Sequence, residues 1–258
     1  MKGVLAIAFA AAAAISSAAI VTKRVDYVFA GSILEGYLAY DDSSTAKRPG
    51  VLVVHDWNGI DGYEERRCRE LAQLGYVAFA ADIYGKDVHP KTPQENGELA
   101  GKYKNDIPTF RGRLLAALEQ LKNQPQTDST LLGAIGYCFG GTGVLELARA
   151  GADIKGIVVF HGGLDSNTND AANIKCKVNL QCGALDRAAT PEVVGKLEKE
   201  LDAASVDYTV TLYSGAVHAF TVPEAGSDIR KGAAYNAVAD KRSWVAMRQF
   251  FGEIFGGK

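Results

Sequence analysis

The sequence predicts an α/β protein in which a mostly parallel central sheet carries helices on both faces and follows an N-terminal β-hairpin. Three observations support this fold class. Lys23 to Asp41 contains two apolar segments separated by Ala30-Gly31-Ser32, a pattern typical of an antiparallel hairpin. Continuous apolar runs then follow, as expected for strands buried on both faces: 50–54, 76–81, 131–136, 154–160, 176–182 and 208–213. Helical patterns separate most of these runs, and strands that alternate with helices form parallel sheets.

The helices are predicted from their apolar faces and terminal residues. Tyr63 to Leu74 has one apolar face and ends at Gly75, and Pro108 begins a helix that runs to Lys122. Further helices are predicted at 142–149, 190–204 and 238–255. Residues 87–106 are polar and contain proline and glycine, so we expect an excursion over the surface there.

Composition limits the classes of function. The chain has 258 residues, of which 47% are hydrophobic, and neither a repeat nor a linker interrupts it, so residues 20–258 are predicted to form one domain. A formal net charge of -2 without a basic run argues against a nucleic-acid partner. This domain contains no apolar stretch of about 18 residues, so no membrane span is expected within it.

The first 19 residues have the pattern of a secretory signal peptide. Lys2 precedes an apolar run from Val4 to Ile15, and the small residues Ser16 to Ala19 follow it. We therefore predict removal of residues 1–19 and export to the periplasm or the medium. An uncleaved N-terminal helix is the alternative.

The four cysteines form neither a disulfide framework nor a Cys-x-x-Cys redox motif. Cys176 and Cys182 lie at the two ends of one predicted strand, too far apart to bond each other. Cys138 instead lies in a turn between a strand and a helix, within Gly136-Tyr-Cys-Phe-Gly-Gly141. Such a turn needs small flanking residues, and the helix N-terminus beyond it favours a thiolate over a thiol. Cys138 is therefore either a nucleophile or a buried cysteine in a glycine-rich turn.

Ionisable residues also follow the other predicted strands, and in a parallel sheet these carboxyl ends meet on one side. The chain order Cys138, Asp186, His218 is that of hydrolases in which nucleophile, acid and histidine each follow a strand. Cys138 would attack a carbonyl carbon, His218 would transfer the proton, and Asp186 would orient the imidazole. The backbone amides of Trp57 and Phe139 are the candidates for holding the resulting oxyanion.

Other interpretations of these residues remain open. Asp186 alone also fits an ordinary turn, and His218 alone fits a surface loop. His161 is assigned a structural role. His55 and Asp56 together with His161 or His218 would suggest a metal site, but no ligand spacing supports one, so neither a metal nor a cofactor is expected.

Together these motifs resemble the dienelactone hydrolase family of the α/β-hydrolase superfamily. The resemblance covers most of the chain after the leader and rests on four segments: 81–85, 136–141, 183–186 and 215–220. It implies an α/β-hydrolase fold and a triad of Cys138, Asp186 and His218. It also implies metal-independent hydrolysis of an ester or lactone through a thioacyl-enzyme intermediate.

This chain differs from the family members that act on dienelactone at three positions. Asp56 stands where they have a glutamate, which makes it the candidate partner of the resting thiol. Lys86 replaces an arginine that binds the substrate carboxylate, and Val222 lies where a second arginine is expected. Tyr84 and Lys86 are the candidate substrate-binding residues. Dienelactone itself is therefore not the expected substrate.

We predict an exported carboxylic-ester hydrolase that acts on small esters, lactones or polyester fragments, without a nucleic-acid partner. The sequence does not set the oligomeric state, for which a monomer is the simplest expectation. A non-catalytic periplasmic binding protein on the same fold is the main alternative. A redox-active thiol is a second one, disfavoured because no other cysteine lies near Cys138 in sequence.

Overall fold

The computed structural model describes residues 19–165 and 170–256, and in these ranges eight strands form one sheet. The strand order is β1-β2-β4-β3-β5-β6-β7-β8. Strand β2 pairs antiparallel with both β1 and β4, and all pairings from β4 to β8 are parallel. The predicted fold class is confirmed. The strands are β1 Ile20–Phe29, β2 Ser32–Asp41, β3 Arg48–Val54, β4 Val77–Ala81, β5 Thr127–Tyr137, β6 Gly156–Phe160, β7 Lys177–Gly183 and β8 Tyr208–Tyr213.

Six helices of the described ranges cover the two faces of this sheet. They are α1 Gly62–Gln73, α2 Pro93–Asn105, α3 Ile107–Lys122, α4 Phe139–Arg149, α5 Pro191–Ala203 and α6 Ala237–Ile254. Successive residues of β3 face opposite sides of the sheet: Leu52 belongs to the hydrophobic cluster that includes residues of α2 to α5, and Val53 to the one that includes residues of α1 and α6. Both side chains are fully buried, which explains why this strand is apolar from Val51 to Val54.

The N-terminal hairpin turns at Ala30 and Gly31, whose φ angles are 48° and 80°. Two consecutive residues with positive φ form the two-residue turn that matches the twist of paired strands. Ser32 then pairs with Phe29, so the sequence break predicted at Ala30-Gly31-Ser32 lies at the turn.

The surface segment 87–106 contains a helix, α2, which the sequence analysis did not predict. The Thr92 hydroxyl accepts a hydrogen bond from the Glu95 amide, and Pro93 occupies the first turn, so the helix has a well-formed N-terminus. Gly97 and Gly101 within it lower its intrinsic helix propensity and conceal its pattern. Burial of Tyr103 against the rest of the domain compensates for this weak propensity.

The described helices include none long and apolar enough to cross a bilayer. Residues 1–18, on which the signal-peptide prediction rests, lie outside the described residues.

Candidate active site

Cys138 lies in a sharp turn between β5 and α4, with φ of 51° and ψ of -110°. A non-glycine residue rarely adopts this conformation, which the surroundings must therefore impose. A Cβ atom at Gly136 would lie 2.0 Å from the Gly140 carbonyl oxygen, and one at Gly140 would lie 2.1 Å from that of Val54. The glycines are thus required for strand and helix to close on each other, and Cys138 lies at the N-cap of α4.

Asp186 and His218 lie beyond the ends of β7 and β8, on the same side of the sheet as Cys138. His218 Nδ1 is 2.8 Å from Asp186 Oδ2, and the buried carboxylate also accepts a hydrogen bond from the Ala188 amide. Burial lowers the pKa of His218, but its hydrogen bond with Asp186 and its interaction with Cys138 raise it to about 10. The structure therefore brings Asp186 and His218 into direct contact, with Cys138 near enough to raise the pKa of the imidazole.

The loop that carries His218 is fixed on both sides of the histidine. The His218 carbonyl accepts a hydrogen bond from the Ala234 amide at 3.0 Å, and Ala219 adopts a positive φ of 57°. On the other side, the carbonyl of Ala216 accepts a hydrogen bond from the Leu185 amide, next to Asp186. Acid and histidine are thus joined through their backbones as well as their side chains.

The amides of Trp57 and Phe139 have the properties needed of oxyanion donors. Phe139 follows Cys138 and is the first residue of α4, where backbone amides lack partners within the helix. Neither amide donates a hydrogen bond to another residue of the described ranges. Both therefore remain available to an acceptor in the cleft, and their role stays a prediction.

Asp56 is buried, and both of its carboxylate oxygens accept hydrogen bonds from Asn58. Burial and the charge of Asp61 raise the pKa of Asp56 to about 7, although the Asn58 amide and His218 act in the opposite direction. The structure places no hydrogen bond between Asp56 and Cys138 among the described residues. Its assignment as partner of the resting thiol stays a prediction.

Tyr84 and Lys86 occupy different settings. Tyr84 is 3% exposed, and its hydroxyl donates to the Trp57 carbonyl at 3.0 Å. Lys86 pairs instead with Asp26 at 2.5 Å and with Glu35 at 3.4 Å. Tyr84 thus supports the loop that carries Trp57, and the charge of Lys86 is already matched by two carboxylates. Substrate binding by either residue stays a prediction.

Comparison with known proteins assigns the family. The sequence model of the dienelactone hydrolase family matches residues 34–255. The chain belongs to the dienelactone hydrolase family. It is a dienelactone hydrolase-like hydrolase, and the resemblance inferred from its motifs is confirmed.

Relatives of this dienelactone hydrolase-like protein match it over nearly their whole length. It is similar to the crystal structure of a dienelactone hydrolase-like promiscuous phosphotriesterase from metagenomic libraries, at 38% identity and a TM-score of 0.87, over 93% of this chain and 100% of that one. It is also similar to a structure designated m3DLH, at 35% identity and a TM-score of 0.88, over 92% and 99% of the two chains. Protein usf of Aquifex pyrophilus is 30% identical over 90% of this chain and 98% of its own.

Two buried histidines of the family member contact the site in ways that the sequence analysis missed. His161 Nε2 lies 2.8 Å from the Thr221 hydroxyl, which lies 2.6 Å from the Tyr63 hydroxyl. The His161 ring also packs against His218, with centroids 5.2 Å apart. His55 lies between Tyr84 and Phe139. The available signal was that each histidine directly follows a strand, whereas nothing in the sequence indicated the Tyr63–Thr221 pair.

The described residues of this dienelactone hydrolase-like domain contain no group of three or more His, Cys, Asp or Glu side chains placed to hold a metal ion. The histidines considered for such a site are His55, His161 and His218, and each hydrogen-bonds a group of the protein. His89 is exposed.

Proposed function

We propose that this protein hydrolyses carboxylic esters or lactones through a thioacyl-enzyme formed on Cys138. The observation that carries the proposal is the 2.8 Å contact between Asp186 and His218, whose pKa is also raised by Cys138 in the strained turn. A nucleophile, a base and a group that orients the base are the parts that acyl transfer requires.

In the first half-reaction, the sulfur of Cys138 attacks the carbonyl carbon and forms a C–S bond while the C=O electron pair moves to oxygen. His218 holds the proton of the pair, because its raised pKa favours the protonated ring. When the tetrahedral intermediate collapses, the C–O bond of the ester breaks and His218 protonates the departing alkoxide. The products are a thioester on Cys138 and a free alcohol.

In the second half-reaction, water replaces the alcohol. Neutral His218 removes a proton from water as the hydroxide forms a bond to the thioester carbon. Collapse of this intermediate breaks the C–S bond, and the acid leaves while the proton stays with the Cys138–His218 pair. Asp186 stabilises the imidazolium that forms in both halves and keeps Nδ1 as the bonded nitrogen.

Negative charge on the substrate oxygen would be held by the amides of Phe139 and Trp57. Both donors belong to rigidly held backbone, so little reorganisation is needed as the charge develops. Loss of one such donor typically slows an enzyme by about 100- to 1,000-fold. An effect of this size predicts that the 55–59 loop contributes strongly to the rate.

We infer that the substrates are small neutral esters or lactones, with dienelactone disfavoured. Lys86 is engaged by Asp26 and Glu35, and Val222 supplies no cation for a substrate carboxylate. Comparing turnover of p-nitrophenyl acetate and butyrate with that of an anionic lactone tests this preference. Faster turnover of the anionic lactone would contradict it.

The decisive experiment compares ester hydrolysis by the wild type, Cys138→Ala and Cys138→Ser. We expect no turnover by the alanine variant and a thioacyl adduct on wild-type Cys138 in the intact mass after rapid quenching. Equal rates in all three proteins would remove Cys138 from the mechanism. A protein that binds esters without turnover in any form would support the binding-protein alternative.

Phosphotriesters are a second candidate substrate class, favoured by the 38% identity to a promiscuous phosphotriesterase. The sulfur would attack phosphorus and expel an aryloxide, leaving a phosphorylated cysteine for water to hydrolyse. Paraoxon turnover by wild type and Cys138→Ala tests this activity, and equal rates in the two would refute it.

We also propose export of the protein, supported by Lys2, the apolar run to Ile15 and the small residues up to Ala19. N-terminal sequencing of protein from a periplasmic fraction tests this proposal, and a mature chain that begins at Met1 would contradict it.

A further inference from the structure

His55 is a fully buried histidine at the end of β3 whose two ring nitrogens both have partners. Nδ1 lies 2.5 Å from the Asp56 carbonyl oxygen, and Nε2 lies 3.2 Å from the Ile83 amide nitrogen. The ring packs edge-to-face against Tyr84 at 4.7 Å and stacks on Phe139 at 5.6 Å, centroid to centroid. Imidazole orientation is therefore fixed by four contacts from three segments of the chain.

These partners define the tautomer of His55. The Ile83 amide can only donate, so Nε2 must accept and carries no proton. The Asp56 carbonyl can only accept, so the single proton of the neutral ring lies on Nδ1. Burial lowers the pKa of His55, which is consistent with a neutral ring. His55 is thus a donor aimed at one backbone carbonyl.

That carbonyl belongs to the peptide that provides a predicted oxyanion donor. The Asp56 C=O and the Trp57 N–H are parts of one planar unit and point in opposite directions. A hydrogen bond on the oxygen fixes the direction of the N–H on the other side of the unit. It also polarises the peptide and makes the N–H a stronger donor.

The next peptide of the loop is held in a similar way. The Tyr84 hydroxyl donates to the Trp57 carbonyl at 3.0 Å, and Asn96 of α2 donates to the side-chain oxygen of Asn58 at 2.6 Å. The loop is therefore held on three successive residues, and within the described ranges only His55 bonds the peptide unit that contains the Trp57 amide.

We propose that His55 is a positioning residue that orients the Trp57 amide toward the oxyanion of the tetrahedral intermediate. This inference rests on the proposed ester hydrolysis. His55 lies outside the triad and acts through the backbone of its neighbour, Asp56. Loss of the His55 side chain should lower kcat with little change in KM, because the bound substrate carries no oxyanion and the charge develops only as the tetrahedral intermediate forms.

The test compares three replacements at this position. His55→Asn keeps a donor near Nδ1, His55→Gln places an amide near Nε2, and His55→Leu removes both groups at similar volume. We expect kcat for p-nitrophenyl butyrate to fall about 10- to 100-fold in the Leu and Gln variants, less than for loss of a donor itself. The Asn variant should stay within about threefold of wild type, and His89→Leu at an exposed position is the matched surface control.

A second readout separates oxyanion stabilisation from general damage to the site. Alkylation of Cys138 by iodoacetamide is a displacement at an sp³ carbon and forms no oxyanion. We expect alkylation rates within about twofold of wild type in all three variants, while inhibition by a trifluoromethyl ketone, which forms a tetrahedral adduct, weakens in parallel with kcat.

The two proposals fail in different ways. An inactive wild type, or a Cys138→Ala variant as active as wild type, would end the proposed function. With an active wild type, equal kcat for His55→Asn and His55→Gln would overturn the role of His55. A fall in alkylation equal to the fall in kcat would overturn it as well. If His55→Leu does not fold, the Asn and Gln pair still decides the question.

Discussion

The imidazole rings of His161 and His218 lie 5.2 Å apart, centroid to centroid, yet their pKa values move in opposite directions. Burial and the neighbouring His218 lower the pKa of His161 well below its usual range. Burial also lowers the pKa of His218, but its hydrogen bond with Asp186 and its interaction with Cys138 raise it to about 10. We therefore expect a neutral His161 beside a protonated His218, whose imidazole is hydrogen-bonded to Asp186.

Titration of the two histidines should reveal this difference. We expect His161 to stay neutral from pH 5 to 9 and His218 to stay protonated over the same range. In Cys138→Ala the pKa of His218 should fall, because the sulfur contributes to raising it. Ring ¹⁵N chemical shifts measured against pH check all three statements. A shared titration near 6.5 for both rings would contradict the assignment.

The orienting role of Asp186 is tested by Asp186→Asn. The amide keeps the size of the side chain but can present its NH₂ group to Nδ1, which favours the wrong tautomer and leaves the imidazolium without its counter-charge. We expect kcat for a neutral ester to fall about 10³- to 10⁴-fold with KM little changed. Asp202→Asn on α5, where the side chain is exposed, is the matched control. A loss below tenfold would remove Asp186 from the mechanism.

The close packing of the turn at Cys138 is tested by Gly140→Ala. The added Cβ would lie 2.1 Å from the Val54 carbonyl oxygen, so β3 and α4 must separate. We expect a loss of stability of about 1–3 kcal/mol and a larger relative loss of activity, because the turn that aims Cys138 is displaced. Thermal unfolding and ester hydrolysis measure the two effects.

Gly97→Ala and Gly101→Ala in α2 provide the opposite case. A Cβ at either position meets no atom within 4 Å, and both residues lie inside a helix. Each substitution should therefore stabilise the protein by about 0.5–1 kcal/mol and leave the activity unchanged. Similar destabilisation by all three alanines would show that close approach at Gly140 is not the cause.

The convergence of Cys138, Asp186 and His218 could be predicted because it depends only on chain order in a parallel sheet. Each residue follows a strand, and the carboxyl ends of such strands share one edge. The apolar runs that define the strands are local, and so are the glycines that define the turn. These features are visible in a single sequence without knowledge of the packing.

The surroundings of the site could not be predicted in the same way, because they depend on which way a side chain turns. Tyr84 follows β4 and stays a candidate for substrate binding, but the sequence gives no sign that its hydroxyl donates to the Trp57 carbonyl. His55 also follows a strand, yet its importance comes from bonds to the Asp56 carbonyl and the Ile83 amide. Helix α2, which supplies Asn96 to the same loop, was hidden by two glycines.

The buried carboxyl of Asp56 should make stability depend on pH near neutrality. Its pKa is about 7 in the folded protein and 3.8 ordinarily, so the folded state binds the proton more tightly. The free energy of unfolding must then fall as pH rises from about 4 to 7, by up to about 4 kcal/mol from this group. Above pH 7 the buried carboxylate is charged and lowers the free energy of unfolding by its full amount. Below pH 4 the carboxyl is protonated in both states and has no such effect.

Asp56→Asn removes this titration while keeping a neutral side chain of the same size. We expect the variant to be more stable than wild type at pH 8 and equal to it at pH 4, in urea unfolding measured at both values. Part of the slope should remain, because Glu64 is buried nearby and its pKa is also raised. Asp87→Asn, at an exposed position, is the control and should leave the profile unchanged. An equal stability difference between wild type and Asp56→Asn at pH 4 and pH 8 would show that Asp56 does not titrate in this window.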